Sequence, residues 1–203
     1  MLLKLYSDNP NHRELRKITD VLKDGGIIIY PTDTIYAIGC DITNNKAIQR
    51  IAKLKGISTE KANFSLICNS LSNLSDYAKV DNSTFKVMKK NLPGAFTFIL
   101  PASNNVPKLF KSKKKTIGIR IPDHYIPLSI VEELGNPIAT TSIRDKDEVI
   151  EYTTDPELIY EKYKNDVDII IDGGFGNNTA STVVDCSEGS FEIIRPGIGE
   201  LEY

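Results

Sequence analysis

The apolar positions of this chain follow a helical period and a strand period by turns. From Asn9-Pro10 onward, Leu15, Ile18, Val21 and Leu22 recur at helical spacing, and Gly25-Gly26 ends the pattern. The continuous run Ile27-Ile28-Ile29-Tyr30 stops at Pro31, which predicts a buried strand. Pro31 has no N–H and pushes Tyr30 into extended geometry, so the strand ends there. A second helix is predicted from an N-cap at Thr43 to Lys55, with Ala47, Ile48, Ile51, Ala52 and Leu54 as its apolar side and Gly56 as its stop. A strand over Phe64–Cys68 precedes a short helix toward Tyr77. Asp81 then opens a longer helix carrying Phe85, Val87 and Met88, which ends before Pro93-Gly94. Ala95–Leu100 and Thr116–Ile121 read as strands, Tyr125–Leu134 as a helix and Pro137–Thr141 as another strand. Asp155-Pro156 sets an N-cap before a proline at the first helical position. Asp168–Ile171, Thr182–Asp185 and Phe191–Ile194 close the chain as strands, turned by Gly173-Gly174 and Glu188-Gly189. Strands slightly outnumber helices and mix with them throughout, with no repeat and no linker. The pattern predicts a single α/β domain over residues 1–203, built on a twisted mixed sheet with flanking helices.

Composition narrows the class. A chain of 203 residues, 40% hydrophobic and 26% charged, is large enough for a substantial core and falls among folded globular proteins. No apolar run approaches the ~20 residues that cross a bilayer, and Met1–Asp8 lacks the features of a secretory signal. Cys40, Cys68 and Cys186 are far apart and lack CxxC spacing, which predicts reduced thiols in a cytoplasmic protein. With His12 and His124 as the only histidines, no metal centre is expected. The net charge of −2 makes no general case for nucleic acid. Lys108, Lys111, Lys113, Lys114 and Lys115 form a basic run, read as a solvated loop, with a phosphate-backbone contact as the alternative.

The candidate chemistry begins where the first strand stops. Thr32, Asp33 and Thr34 follow Pro31 directly, and ligands of open α/β sheets sit beyond strand carboxyl ends. An ordinary turn uses the same residue types. Neither a P-loop nor GxGxxG is present. His124, after Pro122-Asp123, is either a phosphate donor or a satisfied structural histidine. Cys40 reads as a small buried hydrophobe, because no Cys/His/Asn arrangement accompanies it.

Several stretches then combine. Pro31-Thr32-Asp33-Thr34-Ile35-Tyr36-Ala37-Ile38-Gly39-Cys40 resembles a PTDTxYGLGCD signature, and Pro93 to Leu100 resembles PGPxTxxL. Gly118 to His124 is similar to GVRxPDH, Pro137 to Ser142 to PIxxTS, Ser181 to Asp185 to STVVD, and Arg195-Pro196-Gly197 to RPG. In this order and spacing they resemble the YrdC/YciO family over nearly the whole chain. The resemblance implies a concave, basic cavity on the sheet. It also implies conversion of L-threonine, bicarbonate and ATP, with Mg²⁺, into threonylcarbamoyl-AMP and pyrophosphate. That product feeds threonylcarbamoyladenosine modification of tRNA, and double-stranded RNA binding is a further property of such proteins.

The resemblance implies roles residue by residue. Thr32 and Thr34 would offer hydroxyls to the amino-acid substrate, and Arg120 would clamp a carboxylate or phosphate. Ser142 and Ser181 would donate hydrogen bonds inside the cavity, and Lys55 and Arg195 would contact the phosphates of ATP. A lysine at a helix C-terminus is also favourable by itself, by ~0.3–1 kcal/mol. The synthases of the family carry a K-x-R…S-x-N tetrad. Here Lys55 and Ser142 remain, whereas Ile57 replaces the arginine and Arg144 the asparagine, which resembles the YciO branch more closely. Two readings follow: a synthase in which Arg144 supplies the missing catalytic cation, or a non-catalytic or weakly active module that binds nucleotide or double-stranded RNA.

Overall fold

The computed structural model describes residues 1–5, 11–57, 64–72, 74–107, 115–143 and 151–203. In chain order its elements are β1 (Leu2–Lys4), α1 (His12–Lys23), β2 (Ile28–Tyr30), β3 (Ala37–Asp41), α2 (Asn45–Leu54) and β4 (Ser65–Ile67). There follow α3 (Leu74–Tyr77), α4 (Asn82–Asn91), β5 (Phe96–Pro101), β6 (Thr116–Arg120), α5 (Tyr125–Leu134) and β7 (Ile138–Ser142). The last are α6 (Glu151–Thr154), α7 (Pro156–Tyr163), β8 (Ile169–Asp172), β9 (Thr182–Asp185) and β10 (Glu192–Arg195). All strands join one 10-stranded sheet in the order β1-β8-β2-β3-β7-β4-β6-β5-β9-β10. Four pairs are parallel (β1/β8, β2/β8, β4/β6, β5/β9) and the other five antiparallel, so the sheet is mixed as expected.

Two strands go beyond the sequence pattern. β1 is three residues long and adds to the sheet by pairing Leu2, Leu3 and Lys4 with Ile170, Ile171 and Asp172 of β8. β3 is buried at every position and contains Gly39 and Asp41, so it shows neither alternation nor an unbroken apolar run. One cap also moves. Asp41 Oδ1 accepts both the amide and the hydroxyl of Thr43 at 2.8 Å, so Thr43 belongs to the turn leaving β3. Asn44 caps α2 instead, accepting the Ala47 N–H at 3.0 Å. Asp81 and Asp155 cap α4 and α7, with Pro156 in the first turn. Bonds from Ser83 and Thr84 hold the Asp81 carboxyl down at about 2. Asn11 caps α1, and the Asn9-Pro10 start lies outside the described residues.

The two faces of the sheet carry different cores. Ile28, Tyr30, Ala37, Ile67, Ile138, Ile169 and Ile171 pack with Leu15, Ile18 and Leu22 of α1 and with Ile126 and Ile130 of α5. The opposite face buries Ile29, Ile38, Leu66, Phe98, Ile119 and Val184 with Ile48 and Ile51 of α2, Met88 of α4 and Ile159 of α7. The face under α1 and α5 changes character along the sheet: β8 and β2 give it Ile169, Ile171, Ile28 and Tyr30, whereas Thr140, Ser65, Arg120 and Thr97 bring polar side chains to it from β7 to β5.

Candidate functional site

The polar stretch follows from strand register. Ser65 pairs with Gly118 on one side and Thr140 on the other, while Ile67 pairs with Arg120. Phe98 pairs with Ile119, which sets Thr97 beside Arg120, and Thr97 pairs in turn with Val183. Successive strand residues point to opposite faces. Thr140, Ser65, Gly118, Arg120, Thr97 and Ser181 therefore share one face, and the exposed Ser142 continues it. Gly118 keeps this floor open, because a Cβ there would lie 2.6 Å from Ser65 Oγ and 3.2 Å from Thr97 Cγ2. Thr140 accepts the Tyr30 hydroxyl at 2.7 Å and donates to the Ile38 carbonyl at 3.2 Å, locking the β2 side of the floor.

Arg120 lies at the centre. β3, β7 and β4 separate β2 from β6, yet the turn after β2 reaches the end of β6. Sheet twist of about 20–25° per strand, accumulated over these strands, curls the one over the other. Arg120 Nη2 donates to Thr32 Oγ1 at 3.1 Å, to Thr34 Oγ1 at 2.5 Å and to the Asp33 carboxylate. Asp33 also accepts the Asp123 N–H at 3.1 Å, so the segment after β6 is tied to the same turn. Thr32 is internally saturated: its hydroxyl accepts from Arg120 and from Thr34 N and donates to Ile35 O at 2.9 Å. It orients Arg120 and has no capacity left for a ligand. Thr34 Oγ1 accepts from Arg120 and lies 3.2 Å from Thr32 Oγ1, and because the Thr32 proton goes to Ile35, Thr34 is the donor of that bond. The Nε–H of Arg120 is buried with no partner, and Nη1 bonds to no described residue. Nη2 is thus anchored, while Nη1 and the buried Nε–H have no partner among the described residues.

Arg195 approaches from the far edge. Its Nη2 donates to the Ser181 carbonyl at 2.8 Å and the Ser181 hydroxyl at 3.2 Å, and that hydroxyl shares a 2.9 Å bond with Thr97. Burial, and then the positive charge of Arg120, lower the pKa of Arg195. The two guanidiniums therefore feel one another across the floor. The chain after Arg195 is held flat against β9: Ile198 N–H donates to Ala180 O at 3.0 Å, and Thr182 Oγ1 to Gly199 O at 2.7 Å.

Lys55 is the C-cap of α2, and its Nζ donates to the Ser142 carbonyl at 3.1 Å, joining two predicted residues at the β7 end. Ile57, in the position of the arginine of the tetrad, is 38% exposed. Arg144 and Lys108 to Lys114 lie outside the described residues. Thr97, Ser65 and Gly118 belong to the site without having been singled out as site residues. The lone Thr97 in the apolar run Phe96–Leu100 was the available signal.

The remaining candidates resolve structurally. His124 Nδ1 accepts the Ile126 N–H at 3.3 Å and caps α5. Burial lowers its pKa below 6.5, against the opposing pull of Asp33 and Asp123. The neutral imidazole is the native form, so its stabilisation is present above about pH 6.5 and is lost as pH falls through the lower folded value. Between about pH 7.5 and 5.5 the wild type should lose more melting temperature than His124→Asn, which keeps a capping acceptor that does not titrate. Equal losses would contradict this role. Cys40, Cys68 and Cys186 are all buried with thiols pushed up to about 12, mainly by desolvation, which removes thiolate chemistry. Among the described residues no group of three His, Cys, Asp or Glu side chains is arranged to hold a metal. No helix among them is long and apolar enough to cross a membrane.

Known proteins resemble this chain in sequence and fold. A family model for Sua5, YciO and YrdC proteins, described as "Telomere recombination", matches residues 20–197. An uncharacterized protein of Haemophilus influenzae is 40% identical over 196 residues, spanning 96% of this chain and 94% of its own. The uncharacterized protein YciO of Escherichia coli is 38% identical over 200 residues, 98% of this chain and 96% of that one. The crystal structure of E. coli YciO superposes with a TM-score of 0.91, covering 98% of this chain and 97% of that chain. Sua5 of P. abyssi, solved in complex with L-threonine, is 26% identical with a TM-score of 0.86, over 97% of this chain and 57% of that one. The chain belongs to the Sua5/YciO/YrdC family and has the fold of YciO.

Proposed function

We propose that this protein is an ATP-dependent threonylcarbamoyl-AMP synthase, combining L-threonine, bicarbonate and ATP into threonylcarbamoyl-AMP, pyrophosphate and water. The observation that carries this reading is the convergence of Arg120 and Arg195 on one hydroxyl-lined sheet face. Arg120 Nη1, which bonds to no described residue, suits a carboxylate oxygen as a charge-assisted donor. Threonine carboxylate would sit there, beside the Thr34 hydroxyl. Ser181, held by Thr97, lies between this position and Arg195.

Threonine amine and bicarbonate give the carbamate with loss of water. A carbamate oxygen then bonds to the α-phosphorus of ATP while the bond to the β-phosphate bridging oxygen breaks and pyrophosphate leaves. Such a transfer depends on positioning and on cations that spread phosphate charge. Arg195 supplies one cation from the floor, and Lys55, held at the Ser142 carbonyl, lies near the rim with the Ser142 hydroxyl. No described set of carboxylates fits Mg²⁺ by itself, so the ion would arrive on the triphosphate, keeping its waters. The product would enter tRNA threonylcarbamoyladenosine synthesis, in keeping with a cytoplasmic location.

Ile57 favours a second reading: its exposed apolar side chain stands where the synthases place an arginine, which suits a weakly active or purely nucleotide- or double-stranded-RNA-binding protein. Pyrophosphate release with MgATP, bicarbonate and L-threonine, each omitted in turn, separates the two. Release that requires all three supports the synthase, and salt-sensitive RNA binding without release supports the module. If Arg144 supplies the missing cation, Arg144→Ala should raise the ATP requirement about tenfold or more, as loss of a charge-assisted bond does. Unchanged kinetics would exclude it from the site.

A further inference from the structure

Between β8 and β9 the chain runs Gly173-Gly174-Phe175-Gly176-Asn177-Asn178-Thr179-Ala180, and Phe175 is 81% exposed. That exposure is built into the loop. On one side of Phe175, Tyr36 Oη donates to Gly174 O at 2.6 Å and accepts the Gly173 N–H at 3.3 Å. On the other, Gly176 N–H donates to Thr154 O at 2.8 Å and Asn177 N–H to Thr34 O at 3.1 Å. An aromatic ring is thus presented to solvent by a backbone fastened at both ends, with no apolar partner among the described residues to account for it.

Phe175, Thr154, Gly176, Asn177 and Asn178 line an open recess of about 510 Å³. Asn177 Oδ1 accepts the Thr179 N–H at 3.1 Å, which leaves the amide nitrogen of Asn177 unpaired at this recess. The recess also lies within reach of the phosphate-binding floor. Asn177 touches the carbonyl of Thr34, whose hydroxyl bonds Arg120, and four residues on is Ser181, at most ~14 Å away along the chain. A flat aromatic face with an exposed amide donor beside it suits a purine base: the ring stacks, and an asparagine amide reads the polar edge of adenine.

We propose that Phe175 is a stacking platform for an adenine base, with Asn177 on its edge, so that base and phosphates of one ligand span the loop and the floor. This inference rests on the nucleotide-binding reading above. Binding of MgATP, magnesium tripolyphosphate and single-stranded oligoadenylate to the wild type, Phe175→Ala and Phe175→Trp tests it by titration calorimetry. Phe175→Ala should weaken MgATP about tenfold and leave tripolyphosphate unchanged, while Phe175→Trp binds as the wild type does. A loss confined to oligoadenylate, again spared in Phe175→Trp, also supports the platform and assigns the base to an RNA strand. If Phe175→Ala binds MgATP and oligoadenylate as the wild type does, or loses tripolyphosphate equally, the platform is overturned while the nucleotide reading stands. If the wild type binds neither MgATP nor tripolyphosphate, the nucleotide reading fails and the platform falls with it.

Discussion

Arg120→Ala should reduce threonine- and bicarbonate-dependent pyrophosphate release by at least ~10²-fold, as loss of a preorganised charge at a reacting centre does. It should also destabilise the fold by about 3 kcal/mol, because Asp33 would keep its buried carboxylate without a cation. The double variant Asp33→Ala/Arg120→Ala separates the two effects. Removing both charges should return much of the stability and none of the activity. Arg120→Lys keeps the charge but cannot place donors on Thr32, Asp33 and Thr34 while presenting a further N–H group to a carboxylate. It should therefore resemble alanine in activity. Denaturant unfolding and steady-state kinetics on the same preparations measure both quantities. Wild-type kinetics in Arg120→Ala would remove Arg120 from the site.

Gly197→Ala should impair ATP use nearly as much as Arg195→Ala, although Gly197 has no side chain to offer a ligand. A Cβ at Gly197 would run into the Ala180 carbonyl and the Ser181 backbone, where no flexible side-chain end can yield. The segment after Arg195 would have to lift from β9, at an overpacking cost of ~1–3 kcal/mol. Lifting it withdraws the Arg195 guanidinium from Ser181. Arg195→Ala removes the same charge-assisted bonds directly, a loss of ~1.5–3 kcal/mol, or about 10- to 150-fold in the ATP requirement. The ATP KM of both variants, with threonine saturating, measures this. Gly197→Ala kinetics matching the wild type would show that the close approach does not position Arg195.

The comparison with the sequence separates what is local from what is not. Helix and strand periods, and the caps at Asp81 and Asp155, are local signals, and the chain obeys them. Thr43 misled because Asp41, two residues earlier, takes its amide and hydroxyl, a competition that residue type alone does not reveal. β3 stayed hidden because burial on both faces removes alternation, and Gly39 interrupts the apolar run. The signature fragments pointed to Arg120, Ser181 and Arg195, and the structure brings all three to one face. Motif matching did not reveal that Thr32 is saturated by Thr34 N, Ile35 O and Arg120, which turns it from a substrate contact into a support for the guanidinium. Nor did it show that Gly118 keeps the floor empty between Ser65 and Thr97. Both facts depend on register and twist across the middle of the sheet, which join residues far apart in the chain.

A crystal structure with L-threonine and a non-hydrolysable ATP analogue bound is the most direct measurement. Threonine carboxylate should lie at Nη1 of Arg120, with the phosphates at Arg195 and both ligands over Gly118 on the same sheet face. Ligands seated on any other surface, or Arg120 and Arg195 turned away from a common hollow, would contradict the shared site.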